Sequence, residues 1–197
     1  MKIRPRLLVG SLLVAVAVIG IFVWTQLPGD DAPVDARLTD ARTVVTFPND
    51  GLANKDVQGD PLPDAVMFDR DGNEVTTADL LGEPLVINLW NSTCAPCAKE
   101  LPDFAEVDAE RDDVRFIGVN FLDSMEVMER FAGERGVEYD LLLDELVEFT
   151  DGIGANALPI TLFVTSDGTI VEQTGPLDAD ELRDKIADLL AVEQGTS

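Results

Sequence analysis

Cys94-Ala95-Pro96-Cys97 holds both cysteines of the chain, where an apolar strand-like segment, 84–90, meets a helix-like one, 97–107. A two-residue gap at a helix start lets two thiols close a small ring without unfolding anything. The first sulfur would sit at the positive end of the helix, where backbone N–H groups favour thiolate over thiol. A reachable thiolate with a second thiol three residues on is equipped for thiol–disulfide exchange. Two other uses of the pair fit poorly. A structural zinc site needs four ligands, and the chain has no histidine. A disulfide kept only for stability gains little from so short a loop. No metal and no cofactor are expected.

Glu100 lies three residues beyond Cys97, on the same helical face. A half-buried carboxylate there would have a raised pKa and could pass protons to and from Cys97; the alternative is a solvated surface Glu. Lys99 points elsewhere, and Trp90 reads as core. Around these residues the pattern predicts a hairpin over 66–75 turning at Asp71-Gly72, then a short helical turn capped by Thr77. Strands follow at 85–90, 114–119 and 139–143, with helices over 97–107, 125–132 and 145–150. A second hairpin pairs 160–165 with 169–173. The last helix runs from an Asp178 cap to about Val192, with Leu182, Ile186, Leu189 and Leu190 inward. Strands alternating with helices and closed by a hairpin give a three-layer α/β domain.

Upstream, Lys2, Arg4 and Arg6 precede an apolar run from Leu7 to Trp24. Eighteen residues at ~1.5 Å each reach ~27 Å, close to the hydrocarbon thickness of a bilayer. No basic residue follows until Arg37, so the positive-inside rule leaves the N-terminus in the cytoplasm and the rest outside. A cleaved signal peptide is the competing reading, disfavoured by the length of the run and the lack of a nearby small-residue cleavage site. The expected organisation is a stub at 1–6, a transmembrane signal-anchor helix at 7–24, a flexible tether at 25–55 and one domain at 56–195. The net charge of −24, from 38 acidic and 14 basic residues, repels nucleic acid and anionic headgroups.

The segment Asn88-Leu-Trp-Asn-Ser-Thr-Cys-Ala-Pro-Cys-Ala-Lys-Glu-Leu-Pro102 closely resembles the active-site stretch of the TlpA/ResA-like branch of thioredoxin-fold proteins. Gly154-Ala-Asn-Ala-Leu-Pro-Ile-Thr-Leu-Phe-Val164 is similar to that family's cis-proline segment and strand. The resemblance spans about 61–190. It implies a thioredoxin-like three-layer α/β/α domain with an N-terminal hairpin, preceded by one transmembrane helix. It also implies a membrane-anchored, monomeric oxidoreductase that trades disulfides with exported proteins, often as a reductant in cytochrome c maturation, fed by a membrane thiol–disulfide electron donor. Cys94 would be the nucleophile and Cys97 the resolving thiol. Pro159 matches the cis-proline facing the dithiol, with Leu158 and Ile160 lining an apolar groove, and Glu100 matches the branch's functional acid. Asn88 stands where ordinary thioredoxins carry a buried acid, which moves proton transfer towards Glu100. Two departures matter. Thr93 replaces the usual Trp beside the first cysteine, making the substrate surface less aromatic. Ala95-Pro96 contains no histidine, which favours reductant over oxidant.

Two other functions compete. A peroxiredoxin-type peroxidase shares the scaffold, but its Pro-x-x-x-Thr pattern is replaced here by Ile87 and Asn91. A non-enzymatic anchored module could use the groove near Pro159 for binding alone.

Overall fold

The computed structural model describes residues 53–196; the expected stub, membrane span and all but the last three residues of the tether lie outside them. Seven strands form one sheet: β1 (Val66–Phe68), β2 (Glu74–Thr76), β3 (Leu85–Leu89), β4 (Arg115–Asn120), β5 (Asp140–Leu143), β6 (Ile160–Val164) and β7 (Ile170–Thr174). The helices are α1 (Ala95–Ala109), α2 (Met125–Gly133), α3 (Glu148–Gly152) and α4 (Ala179–Thr196). The strand order is β2-β1-β5-β4-β3-β6-β7. β3, β4 and β5 are parallel neighbours, whereas β6 runs antiparallel to β3 and β7 to β6.

β3, β4 and β5 step across the sheet in one direction, so right-handed crossovers place α1 and α2 on the same face. That face also takes α4, and its core joins Cys97, Leu101 and Phe104 of α1 to Met128 of α2 and Leu182, Ile186 and Leu189 of α4. The other face is covered more thinly. Phe149 and Ile153 from α3 and its end, Leu80 from a 3₁₀ turn and Val57 from the entering segment pack there on Ile87, Ile117 and Leu162. The expected three-layer arrangement is therefore present, with unequal outer layers.

Two boundaries differ from expectation for identifiable reasons. The 3₁₀ turn Thr77–Leu80 is capped by Thr76. Asp79 Oδ2 accepts from Thr76 N at 2.9 Å and from Thr76 Oγ1 at 2.5 Å. Thr77 instead donates its hydroxyl to Pro63 O at 2.9 Å. α3 begins at Glu148, not near 145, because the fully buried Asp144 carboxylate reaches forward to Phe149 N, Thr150 N and Thr150 Oγ1 at 3.3, 2.8 and 2.6 Å. That turn carries Val147 through φ 60, the left-handed region a β-branched residue rarely enters.

α1 continues through Pro102, which lacks the N–H that would otherwise bond Ala98 O. Trp90 is fully buried just past β3 and stacks at 5.7 Å on Phe131 of α2, whose ring also carries the Arg135 guanidinium over it. β4 is bare beside it at Gly118, where a Cβ would lie 2.8 Å from Leu141 Cδ2 and 3.0 Å from Trp90 Nε1. The five basic and five acidic residues before position 53 cancel, so the whole excess of acid falls on the described domain.

Candidate active site

β3 ends by delivering the chain into the loop 90–93, and α1 opens directly after it. Cys94 is the N-cap of α1, and its Sγ accepts a hydrogen bond from Cys97 N at 3.2 Å. Sulfur occupies the place that a Ser or Asp oxygen usually takes at a helix start. The two cysteines form a disulfide with Cα atoms 5.3 Å apart. Cys94 is half-buried and Thr93 exposed, while Cys97 is fully buried one step into the helix. Only one of the two sulfurs is thus within easy reach of another molecule.

The loop before Cys94 is held by polar side chains from β4 and its exit. Asn91 Oδ1 accepts from Thr93 N at 2.9 Å and from Thr93 Oγ1 at 2.8 Å. Ser92 donates through N and Oγ to the two oxygens of Asp123, at 2.7 and 2.6 Å. Asn120 Nδ2 donates to the same carboxylate at 2.8 Å. Burial pushes the Asp123 carboxyl up, but the Ser92 and Asn120 donors outweigh it and leave it below the usual range. Asp123 and Asn120 carry no motif of their own. They reach the loop because β4 lies parallel to β3 and ends at the same edge of the sheet.

A groove of about 520 Å³ opens beside Cys94, lined among others by Thr93, Pro96, Phe121, Leu122 and Leu158. Not one lining side chain is charged, and Leu122 projects into it 64% exposed. The antiparallel register sets Ile160 opposite Leu89, which brings Leu158 and Pro159 alongside the loop that starts at Trp90. The Leu158–Pro159 peptide is cis. Pro159 is buried and Leu158 half-buried on the groove wall. Ile160, expected to line the groove, is instead fully buried among Leu85, Leu89 and Leu162, because alternation along β6 turns it to the opposite face. The far wall is pinned from the entering segment, where Asn54 Oδ1 accepts from Asn156 N and Ala157 N, both at 2.7 Å. That contact crosses about a hundred residues and had no sequence signal.

Glu100 lies on the other side of the α1 start, only 3% exposed. Its Oε1 accepts from Asn88 Nδ2 at 3.0 Å and its Oε2 from Leu177 N at 3.3 Å. Burial is the main influence on its carboxyl and, helped by the nearby charge of Asp103, outweighs the Asn88 and Leu177 donors, raising it to about 7. It borders a second opening of about 500 Å³, shared with Lys99, Asp103, Leu177, Asp178 and Glu181. The solvated-surface alternative for Glu100 does not match this burial. Lys99 is exposed and Trp90 is core.

A buried carboxyl poised near neutrality, one turn beyond the buried sulfur and open to water on its far side, can exchange protons where the thiol needs them. The arrangement as a whole has the parts that thiol–disulfide exchange calls for: one accessible sulfur, one buried sulfur and an ionisable carboxyl behind them.

Known proteins of three kinds are similar to this chain. The model of a family described as AhpC/TSA matches residues 58–173. A relative named thiol-disulfide oxidoreductase ResA, from Bacillus subtilis, is 27% identical over 130 residues, covering 64% of this chain and 73% of its own length. A protein of the same name from Geobacillus thermodenitrificans is 25% identical over 128 residues, covering 64% and 74%. Among solved structures, MTB dsbF, in its mixed oxidized and reduced forms, superposes with a TM-score of 0.60 at 27% identity, over 65% of this chain and 96% of its own. StoA from Bacillus subtilis gives 0.54 at 26%, over 63% and 98%.

Proposed function

This chain belongs to the AhpC/TSA family, and from that premise we propose a membrane-tethered, extracytoplasmic thiol–disulfide oxidoreductase that reduces disulfides in exported proteins. The observation that carries the reading is the dithiol at the head of α1, with Cys94 open to an uncharged groove and Cys97 buried above Glu100. The relatives named thiol-disulfide oxidoreductase support the same activity.

In the reductive direction the Cys94 thiolate attacks one sulfur of a substrate disulfide. A Cys94–substrate S–S bond forms as the substrate's own breaks, and the released sulfur takes a proton. Cys97 then gives up its proton, with Glu100 as acceptor, and attacks Cys94 Sγ. The substrate leaves as a dithiol and the chain is left with the Cys94–Cys97 disulfide, two electrons having passed. A membrane thiol–disulfide donor of electrons would restore the dithiol. Disulfides in exported cytochromes c awaiting haem are substrates of this type. Leu158, Pro159 and Thr93 border the place where the substrate strand would lie. The lack of a histidine between the cysteines supports the reductive direction. A pair potential below roughly −250 mV fits it, and a value near −120 mV would instead mark an oxidant.

Tethering rests on the 7–24 run and the basic residues before it. The full-length protein is expected to remain with membranes after a high-salt wash and to expose residues 30–197 to protease added from outside. Recovery of a soluble form beginning near Arg37 would identify a cleaved signal peptide instead. Peroxide consumption no faster than that of a variant with both cysteines changed to Ser separates this enzyme from a peroxidase.

A further inference from the structure

We infer that the side-chain amide of Asn88 turns over when Glu100 gains or loses its proton, with the Thr161 hydroxyl as the partner that fits both orientations. The inference rests on the reading of Glu100 as the acid that exchanges protons. Asn88 is buried on β3, and the β3–β6 register sets it directly opposite Thr161. Its Nδ2 donates to Glu100 Oε1 at 3.0 Å and to Thr161 Oγ1 at 3.1 Å. Its Oδ1 is buried without a hydrogen-bond partner among the described residues.

Each hydrogen bond reaching the Glu100 carboxyl therefore comes from a donor, Asn88 Nδ2 or Leu177 N. Such a set fits an anion. A protonated carboxyl presents an O–H, which needs an acceptor where Nδ2 now sits. The amide carries one a half-turn away. Its oxygen and nitrogen are nearly equal in size, so the turn needs no repacking. On the β4 side the neighbour in register is Gly118, which brings no side chain against it. A hydroxyl both accepts and donates, so Thr161 accepts from Nδ2 in one orientation and donates to Oδ1 in the other. The end of the amide left unpaired occupies the same place in both orientations, as a carbonyl oxygen in one and an NH2 in the other.

The other groups facing Glu100 are Lys99 and Asp103 on α1, Asp178 and Glu181 at the start of α4, and the buried Tyr139 hydroxyl before β5. Beside them Cys97 lies one turn back on α1. Among the described residues none of these hydrogen-bonds the carboxyl. Asn88 and Thr161 are thus positioning residues: they keep Glu100 paired in either state, so moving its proton leaves no buried ion without a partner.

The test follows isotope-labelled full-length oxidised protein in detergent by NMR from about pH 5 to 9. The Glu100 carboxyl carbon reports protonation, and Overhauser contacts from the Asn88 NH2 protons to the Thr161 methyl report orientation. The contacts are expected above the Glu100 midpoint and to fade below it, and in Glu100→Gln to stay the same at every pH. Contacts that persist on both sides of a clear Glu100 titration overturn the inference while leaving Glu100 its role. A Glu100 carbon that does not titrate in this range overturns both. Asn88→Leu supplies a second reading. It takes a donor from the carboxylate and an acceptor from the protonated carboxyl alike, so the midpoint of the pH–rate curve moves by less than about one unit, whereas a rise of one unit or more means that Asn88 serves the anion alone and counts against the inference.

Discussion

Cys94→Ser abolishes disulfide reduction, whereas Cys97→Ser leaves a protein that stops at a covalent adduct with its substrate. Cys94 carries the half-exposed sulfur, at the N-cap of α1 and on the groove; Cys97 is fully buried. A serine hydroxyl at 94 is not a nucleophile towards sulfur, and the loss should be ~10³-fold or more, as when other enzymes lose their nucleophile. With Ser at 97 the first step still runs, but nothing releases the substrate, and a mixed disulfide through Cys94 accumulates. Mass spectrometry of each variant with a disulfide-bonded peptide distinguishes the two. Adducts on Cys94→Ser would mean that Cys97 attacks first and that burial does not decide the order.

Glu100→Gln removes an ionisation near neutrality from the exchange rate and, at high pH, stabilises the fold. The buried carboxyl rises from 4.5 to about 7, so the folded state holds its proton over a range where the unfolded chain has lost it. The sign follows from the proton count. Between those two values the folded form binds more protons, so stability falls as pH rises, and below 4.5 no penalty remains. Carrying the ionised carboxylate therefore costs roughly 3 kcal/mol above pH 7. Glutamine carries no charge and avoids that cost. Denaturant titrations at pH 8 should favour the variant by about that amount, and at pH 4 by almost nothing. Pre-steady-state exchange from pH 5 to 9 should lose the inflection near 7, with a smaller change in its maximum. Superimposable pH–rate curves for the two proteins would reduce Glu100 to a structural acid.

What could be read from the sequence depended on how far apart the interacting residues lie. The dithiol, Glu100 and the first turn of α1 fall within one local segment, where helical spacing alone predicts a shared face. The strands were legible because β3 and β6 are apolar at every position but Asn88 and Thr161, as strands buried on both faces tend to be. The cis-proline segment was identified through its resemblance to a family. The supporting polar residues were not legible. Asp123 meets Ser92, Thr161 meets Asn88 and Leu177 meets Glu100 only after the sheet has brought distant segments together. Asp123 and Leu177 stand in no motif, Thr161 sits in the cis-proline segment with nothing to mark its side chain, and each would pass for an ordinary surface, strand or loop residue. Ile160 failed for a different reason: strand alternation turned it into the core, a fact its neighbour Pro159 obscured. At Thr76 and Thr77 adjacent identical residues divided two roles that spacing could not separate.

The uncharged groove lies on a domain that carries the whole net charge of −24. Its interior therefore has little say in which partners arrive. At physiological ionic strength the field of such a surface extends about 8 Å before salt screens it, far enough to slow an anionic protein and hasten a cationic one before any contact. Selection would then occur in two stages, by charge during diffusional encounter and by shape at the lip formed by Leu122 and Leu158. Only the first stage fades as salt is added. The rank order of substrates is thus a property of the medium as well as of the enzyme, and two substrates of equal fit can exchange places between dilute buffer and brine.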